Sequence, residues 1–193
     1  MKIEGKVTQV NFLDRRVSFG SRWMKLRCWY SVFACVEWLS SPAAIWDSLR
    51  PQLNGAKLTC SPTENNWKTC TFQTEHFRIL VECHFPGDQF FEAKIDGWLG
   101  TMNEPSLWGP QAKPRSAADR DLIVSTLQRT RQIVNIVPVG VLKATQQARV
   151  CEQICGTVAR QSDGIITVFE AGLFNQAGES IFPHNPVHRL KTM

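Results

Sequence analysis

Apolar residues at Val141, Ala144, Ala148, Cys151, Cys155 and Val158 recur in steps of three and four. Lys143, Gln146, Gln147, Arg149, Glu152, Gln153 and Arg160 fill the positions between them. A period near 3.6 puts the first set on one stripe of a helix and the second in water. Gly156 interrupts the helix at a cost of roughly 1 kcal/mol relative to alanine. Ser162-Asp163-Gly164 breaks it, and the β-rich run Ile165, Ile166, Val168 and Phe169 follows. Asn175-Gln176-Ala177-Gly178 is turn chemistry between Leu173-Phe174 and Ile181-Phe182. Pro183 and Pro186 end this ordered part. Strand, helix, strand, turn and strand from Ile133 to Phe182 describe a helix packed on an antiparallel sheet.

Upstream the periodicity is mostly that of strands. Val7, Val10 and Phe12 mark one, Arg15 to Phe19 a second. Leu26 to Trp38 is rich in aromatic and β-branched residues, which favours a long buried strand, with a helix as the alternative. Ser41 caps a helix that opens at Pro42, carries Trp46, Leu49 and Leu53 on one face, and stops at Asn54-Gly55. Three strands follow over Ala56–Cys60, Trp67–Gln73 and Phe77–Phe85, and Pro86-Gly87-Asp88 turns the chain into another over Phe90–Ile95. Ser116, with Asp119 three residues on, starts a second helix whose apolar face is Ala118, Leu122, Ile123 and Leu127. A strand over Ile133–Val137 leads through Pro138 into the last helix. The expected fold is α+β, a mainly antiparallel sheet with about three helices packed on it. One domain spans residues 1–193, with possible sub-halves 1–96 and 117–183.

Residues 97–116 read as the loop between those halves. Gly97, Gly100, Pro105, Gly109, Pro110 and Pro114 argue against a regular element, while Trp98, Leu107 and Trp108 give the segment large apolar side chains. A long loop of that composition is either packed down or built to touch something.

The composition, 43% hydrophobic and 20% charged, is that of a globular chain of 193 residues. Seven tryptophans and eleven phenylalanines stand against one tyrosine. The net charge is +5, from 22 basic and 17 acidic side chains scattered without a block. A scattered excess lacks the footprint of a nucleic-acid binder and suits steering toward an acidic partner. The first residues lack the apolar stretch of a secretion signal, and no run nears the ~18 apolar residues that span a bilayer. These features lead us to expect a cytoplasmic protein. Its seven cysteines are then expected as free thiols behaving like small hydrophobes.

No phosphate loop, dinucleotide turn or nucleophile elbow occurs. Cys151 and Cys155, four apart, lie on the apolar stripe, which favours packing over metal. His184 and His188 have finger-like spacing beside two prolines but no Cys-x-x-Cys partner. A cysteine paired with His76 or His84 would make a thiolate couple, with Cys60 and Cys70 the more exposed candidates beside a turn and Cys28, Cys35 and Cys83 buried in strands. The carboxylates, Glu64 to Glu104, are scattered. No catalytic residue, cofactor or metal is expected.

The stretch Val141 to Phe182 resembles the end of a group of bacterial α+β proteins that includes immunity proteins of polymorphic-toxin and type VI secretion systems. The likeness lies in the helix rich in Ala and Cys, then Ser162-Asp163-Gly164, a β run, Gly172-Leu173-Phe174, and Asn175-x-x-Gly178 before a last strand. It covers about a fifth of the chain. The resemblance implies a small cytoplasmic protein that serves in bacterial competition by binding and blocking a cognate toxin or effector, with no shared catalytic residues. Such an inhibitor needs a rigid platform and a few anchors, commonly Trp, Tyr or Arg. Trp67, Trp98, Trp108 and Arg115 are the candidates, and Glu64 and Glu104 would meet a basic cleft. Two other classes stand beside this one: a cysteine-dependent enzyme, and a phage- or plasmid-encoded regulator associated with nucleic acid.

Overall fold

A computed structural model describes residues 30–37, 57–61, 67–73, 78–104, 113–139, 144–168 and 171–183. Strands β1 (Tyr30–Ala34), β2 (Lys57–Ser61), β3 (Thr69–Gln73) and β4 (Arg78–His84) precede helices α1 (Gln89–Asn103) and α2 (Ala117–Arg129). Strand β5 (Gln132–Val139), helix α3 (Ala144–Gln161) and strands β6 (Ile165–Val168), β7 (Gly172–Phe174) and β8 (Ser180–Pro183) complete them. The eight strands form one sheet in the order β2-β3-β4-β5-β1-β6-β7-β8, antiparallel throughout. The fold is α+β, with three helices among the described residues.

Side-chain alternation along the strands makes two cores. Tyr30, Val32, Cys70, Phe72, Ile79, Val81, Val134, Ile136 and Ile166 point to one face, which α3 covers with Val150, Cys151, Ile154, Cys155, Val158 and Ala159. Phe33, Ile133, Ile165, Leu173, Ile181 and Phe182 meet α1 and α2 on the other, through Phe91, Ile95, Trp98, Met102, Ile123 and Leu127. β5 is buried along nearly its whole length, as the inner strand of a sheet covered on both faces must be. It runs past the expected end, with Pro138 opposite Ile79.

α1 replaces both the strand expected at Phe90–Ile95 and the first third of the expected loop. Asp88 is its cap: Oδ1 accepts from the Phe90 N–H at 2.8 Å. Glu92 reaches back to accept from the Gly87 N–H at 2.8 Å. Gly97 and Gly100 lie inside the helix, which tertiary packing of Phe91, Ile95, Trp98 and Met102 sustains. α2 begins as expected, with Ser116 Oγ accepting from the Asp119 N–H at 3.0 Å. Its buried face is Ile123, Thr126 and Leu127, while Leu122 is 39% exposed.

α3 ends in a Schellman turn: the Gly164 N–H donates to Ala159 O at 2.9 Å and Asp163 takes the left-handed conformation, φ 50°. The hairpin between β7 and β8 turns on Asn175, whose Oδ1 accepts from Ala177 and Glu179, with Gly178 at φ 79°. The strands expected at 7–12 and 15–19 and the helix at 41–53 lie outside the described residues.

Candidate functional site

The outer three strands carry a different surface from the rest of the sheet. Cross-strand register places Lys57, Gln73 and Arg78 in one row, Thr59, Thr71 and Leu80 in the next, and Ser61, Thr69 and Glu82 in a third. All nine belong to the face opposite α3, because their neighbours Leu58, Cys60, Cys70, Phe72, Ile79 and Val81 supply the α3-side core. Lys57, Thr59, Ser61, Gln73 and Arg78 are exposed, and Thr69, Thr71, Leu80 and Glu82 half-buried. The third row continues inward as Asn135, Ser31 and Thr167, all buried. Ser31 Oγ donates to Asn135 Oδ1 at 2.6 Å, and Asn135 Nδ2 is buried with no hydrogen-bond partner among the described residues.

This grid is mostly polar and carries two cations against one carboxylate. Lys57 and Arg78 flank the amide of Gln73. Glu82 is the one carboxylate among the nine. Strand spacing of about 4.8 Å and a rise of about 3.4 Å per residue make it roughly 10 by 14 Å. Threonine is stiff at χ1, so its hydroxyls are already ordered before any contact forms. None of the nine is aromatic, so the grid offers no stacking platform of the kind that single-stranded nucleic acid uses.

The residues expected to anchor a partner are dispersed. Trp98 is a correction: it sits on α1, 4% exposed, edge-on to Phe182 with ring centroids 5.7 Å apart. It holds the helix to the sheet and presents nothing outward. Trp67 is half-buried against the α3-side core at the start of β3. Arg115 is exposed before α2, its backbone N–H donating to Ile181 O of β8 at 3.2 Å. Six strand spacings separate β3 from β8, roughly 30 Å, so Trp67 and Arg115 belong to opposite edges of the sheet. Glu104 is exposed and ends α1, its N–H donating to Gly100 O at 2.9 Å. Trp108 and Glu64 lie outside the described residues, as do His76, His184, His188 and Cys28. The grid itself was missed because it exists only through register. Thr59, Thr71 and Thr69 in alternating positions were the visible trace of it.

His84 is bound to a carboxylate. Its Nδ1–H donates to Asp88 Oδ2 at 2.8 Å, and its ring lies 4.3 Å from that of Phe90. Asp88 therefore fixes the imidazole with one oxygen and caps α1 with the other. His84 is 8% exposed, and its Nε2 is buried with no hydrogen-bond partner among the described residues. Cys83 cannot join it as a thiolate couple, since adjacent strand residues face opposite sides and Cys83 lies in the α3-side core. Burial pushes the Cys83 thiol up to about 12, against a weaker opposing hydrogen bond with Gln132. Burial also pushes Cys155 well above the ordinary thiol range, with Cys151 and Glu152 adding to the effect. Cys35 is raised by burial too, with Arg129 opposing. Cys70, expected to be exposed beside a turn, is fully buried because its side chain faces α3. Among the described residues no group of three or more His, Cys, Asp or Glu side chains gathers as a metal site, and no helix is long and apolar enough to cross a membrane.

No protein-family model, curated protein or solved structure matches this chain.

Proposed function

We propose that this protein works by binding another protein, and that it is an immunity protein of the bacterial cytoplasm which neutralises a toxin or effector presenting an acidic surface. The polar grid on β2, β3 and β4 carries the reading. It combines exposed cations, preordered hydroxyls and a rigid sheet backed by a packed core, with only one carboxylate. The net charge of +5 adds long-range attraction to an acidic partner. The grid occupies roughly 140 Å² of sheet, whereas a stable interface takes roughly 800 Å² from each partner. It therefore forms the centre of a larger contact, where a few well-placed side chains dominate affinity.

The test is binding of the purified protein to the product of the gene beside its own, by calorimetry, and protection of cells that express that product. Charge reversal at Lys57 and Arg78 together is expected to weaken binding at least tenfold, with the loss concentrated in the association rate and reduced at high salt. A neighbouring product that neither binds nor is neutralised overturns the immunity reading. Unchanged affinity of the double variant for a partner that does bind overturns the grid.

A further inference from the structure

Cys60 and Cys70 are direct cross-strand partners on β2 and β3, with their sulfurs 3.3 Å apart. We infer that they form an oxidisable dithiol, a covalent modification site on the outermost described strand of the sheet, and that a small-molecule disulfide such as oxidised glutathione is its oxidant.

Three observations carry this. The two residues share a face and a rung of the ladder, so their Cβ atoms already point the same way. Bond formation at about 2.05 Å asks for roughly 1.3 Å of sulfur approach, within reach of side-chain rotation and a slight pinch of the two strands. The pair is also asymmetric in access: Cys60 is half-buried and Cys70 fully buried. That is the arrangement of an attacking thiol with a resolving thiol behind it. Cys151 and Cys155, by contrast, are both fully buried on the sheet-facing side of α3.

The chemistry balances in two exchanges. Cys60, as thiolate, attacks one sulfur of the oxidised reagent, forms a mixed disulfide and expels one thiolate, which takes up the proton that Cys60 released. Cys70, losing its own proton, then attacks the Cys60 sulfur and expels the second thiolate. Two protein thiols are oxidised by two electrons, and one disulfide reagent is reduced to two thiols. A dithiol reductant reverses both steps. The product welds β2 to β3 and fixes the hairpin that carries six of the nine grid positions. The dithiol chemistry does not rest on the docking role.

The experiment treats the folded, fully reduced protein with oxidised glutathione, blocks residual thiols with N-ethylmaleimide and digests without reduction. Trypsin cuts after Lys57, Lys68 and Arg78, so the disulfide joins two separate peptides, Leu58–Lys68 and Thr69–Arg78. That cross-linked pair is expected as the main oxidised species, lighter by two hydrogens, with Cys151 and Cys155 carrying neither glutathione nor disulfide. In Cys70→Ser, Cys60 is expected to retain glutathione, its adduct decaying at least tenfold more slowly than in the parent. Cys60→Ser is expected to leave Cys70 unmodified, and circular dichroism verifies that each variant is folded. A parent protein that stays glutathionylated at Cys60, or that cross-links only in urea, overturns the inference.

Discussion

Gly164 stands where the end of α3 meets β1. A Cβ there would lie 2.5 Å from Phe33 O and 3.1 Å from Val32 Cγ1. The first contact is with backbone that is itself paired in the sheet, so it cannot step aside. Gly164→Ala is expected to cost about 3 kcal/mol by the overpacking it forces, lowering the melting temperature by about 6–12 °C. Gly100 is the opposite case, inside α1 with open space where a Cβ would go. Gly100→Ala is expected to stabilise by about 0.5–1 kcal/mol, since alanine propagates a helix better and has less freedom to lose. Urea unfolding of the two variants checks both signs, and a loss at Gly100 would mean that α1 does not run through it. The Asp163-Gly164 break is visible from residue types alone. Which of the two turns left-handed is not, because both tolerate that conformation. Gly164 is required by the distant strand that it touches.

Asp88 joins β4 to α1 through both carboxylate oxygens. Asp88→Ala removes the cap of α1, worth about 1 kcal/mol, and strips the buried His84 ring of its acceptor at Nδ1, worth about 1–3 kcal/mol. A loss of about 2–4 kcal/mol is expected, with faster hydrogen exchange confined to the first turn of α1. Asp88→Asn keeps an acceptor oxygen for the cap but not the carboxylate oxygen that holds His84, and is expected to lose about 1–3 kcal/mol. Equal losses in the two variants would show that the cap contributes nothing. α1 was the one described helix that the periodicity did not yield, although its signal was present. Phe91, Ile95, Trp98 and Met102 step by four, three and four behind an Asp cap. Gly97, Gly100 and the prolines beyond obscured it, because local propensity argues for a loop where packing of the apolar stripe decides for a helix. α2, α3 and the hairpin at Asn175 were legible because cap, period and turn residues agreed there.

Protonated thiols in the α3-side core give the whole molecule an alkaline limit. The folded Cys83 holds its proton up to about 12, against 9.0 for an ordinary thiol. Below pH 9 the thiol is neutral in both states and its contribution to stability is complete. Above pH 9 the unfolded chain ionises while the folded chain does not, so stability falls until about pH 12. At about 1.4 kcal/mol per pH unit, Cys83 alone removes roughly 2 kcal/mol by pH 10.5, and Cys155 shifts in the same direction. Denaturation midpoints from pH 7 to 10.5 measure this, and Cys83→Ala should flatten the decline. A midpoint that holds steady to pH 10.5 would contradict the burial of these thiols. The alternation that buries them was readable strand by strand. The order of the strands was not, because β1 joins β5 and β6 across about a hundred intervening residues. The division at residues 97–116 accordingly has no counterpart in the sheet, where strands from either side of it interleave.

That interleaving has a consequence for synthesis. β1 emerges from the ribosome early, yet both of its neighbours, β5 and β6, are translated more than a hundred positions later. At roughly 5–20 residues per second the nascent strand waits many seconds, its apolar side chains unpaired, for the segments that will enclose it. Pairings so distant along the polymer also condense slowly. The newborn chain is thus a natural client for holding chaperones, and its yield in cells should depend on translation speed downstream of β4.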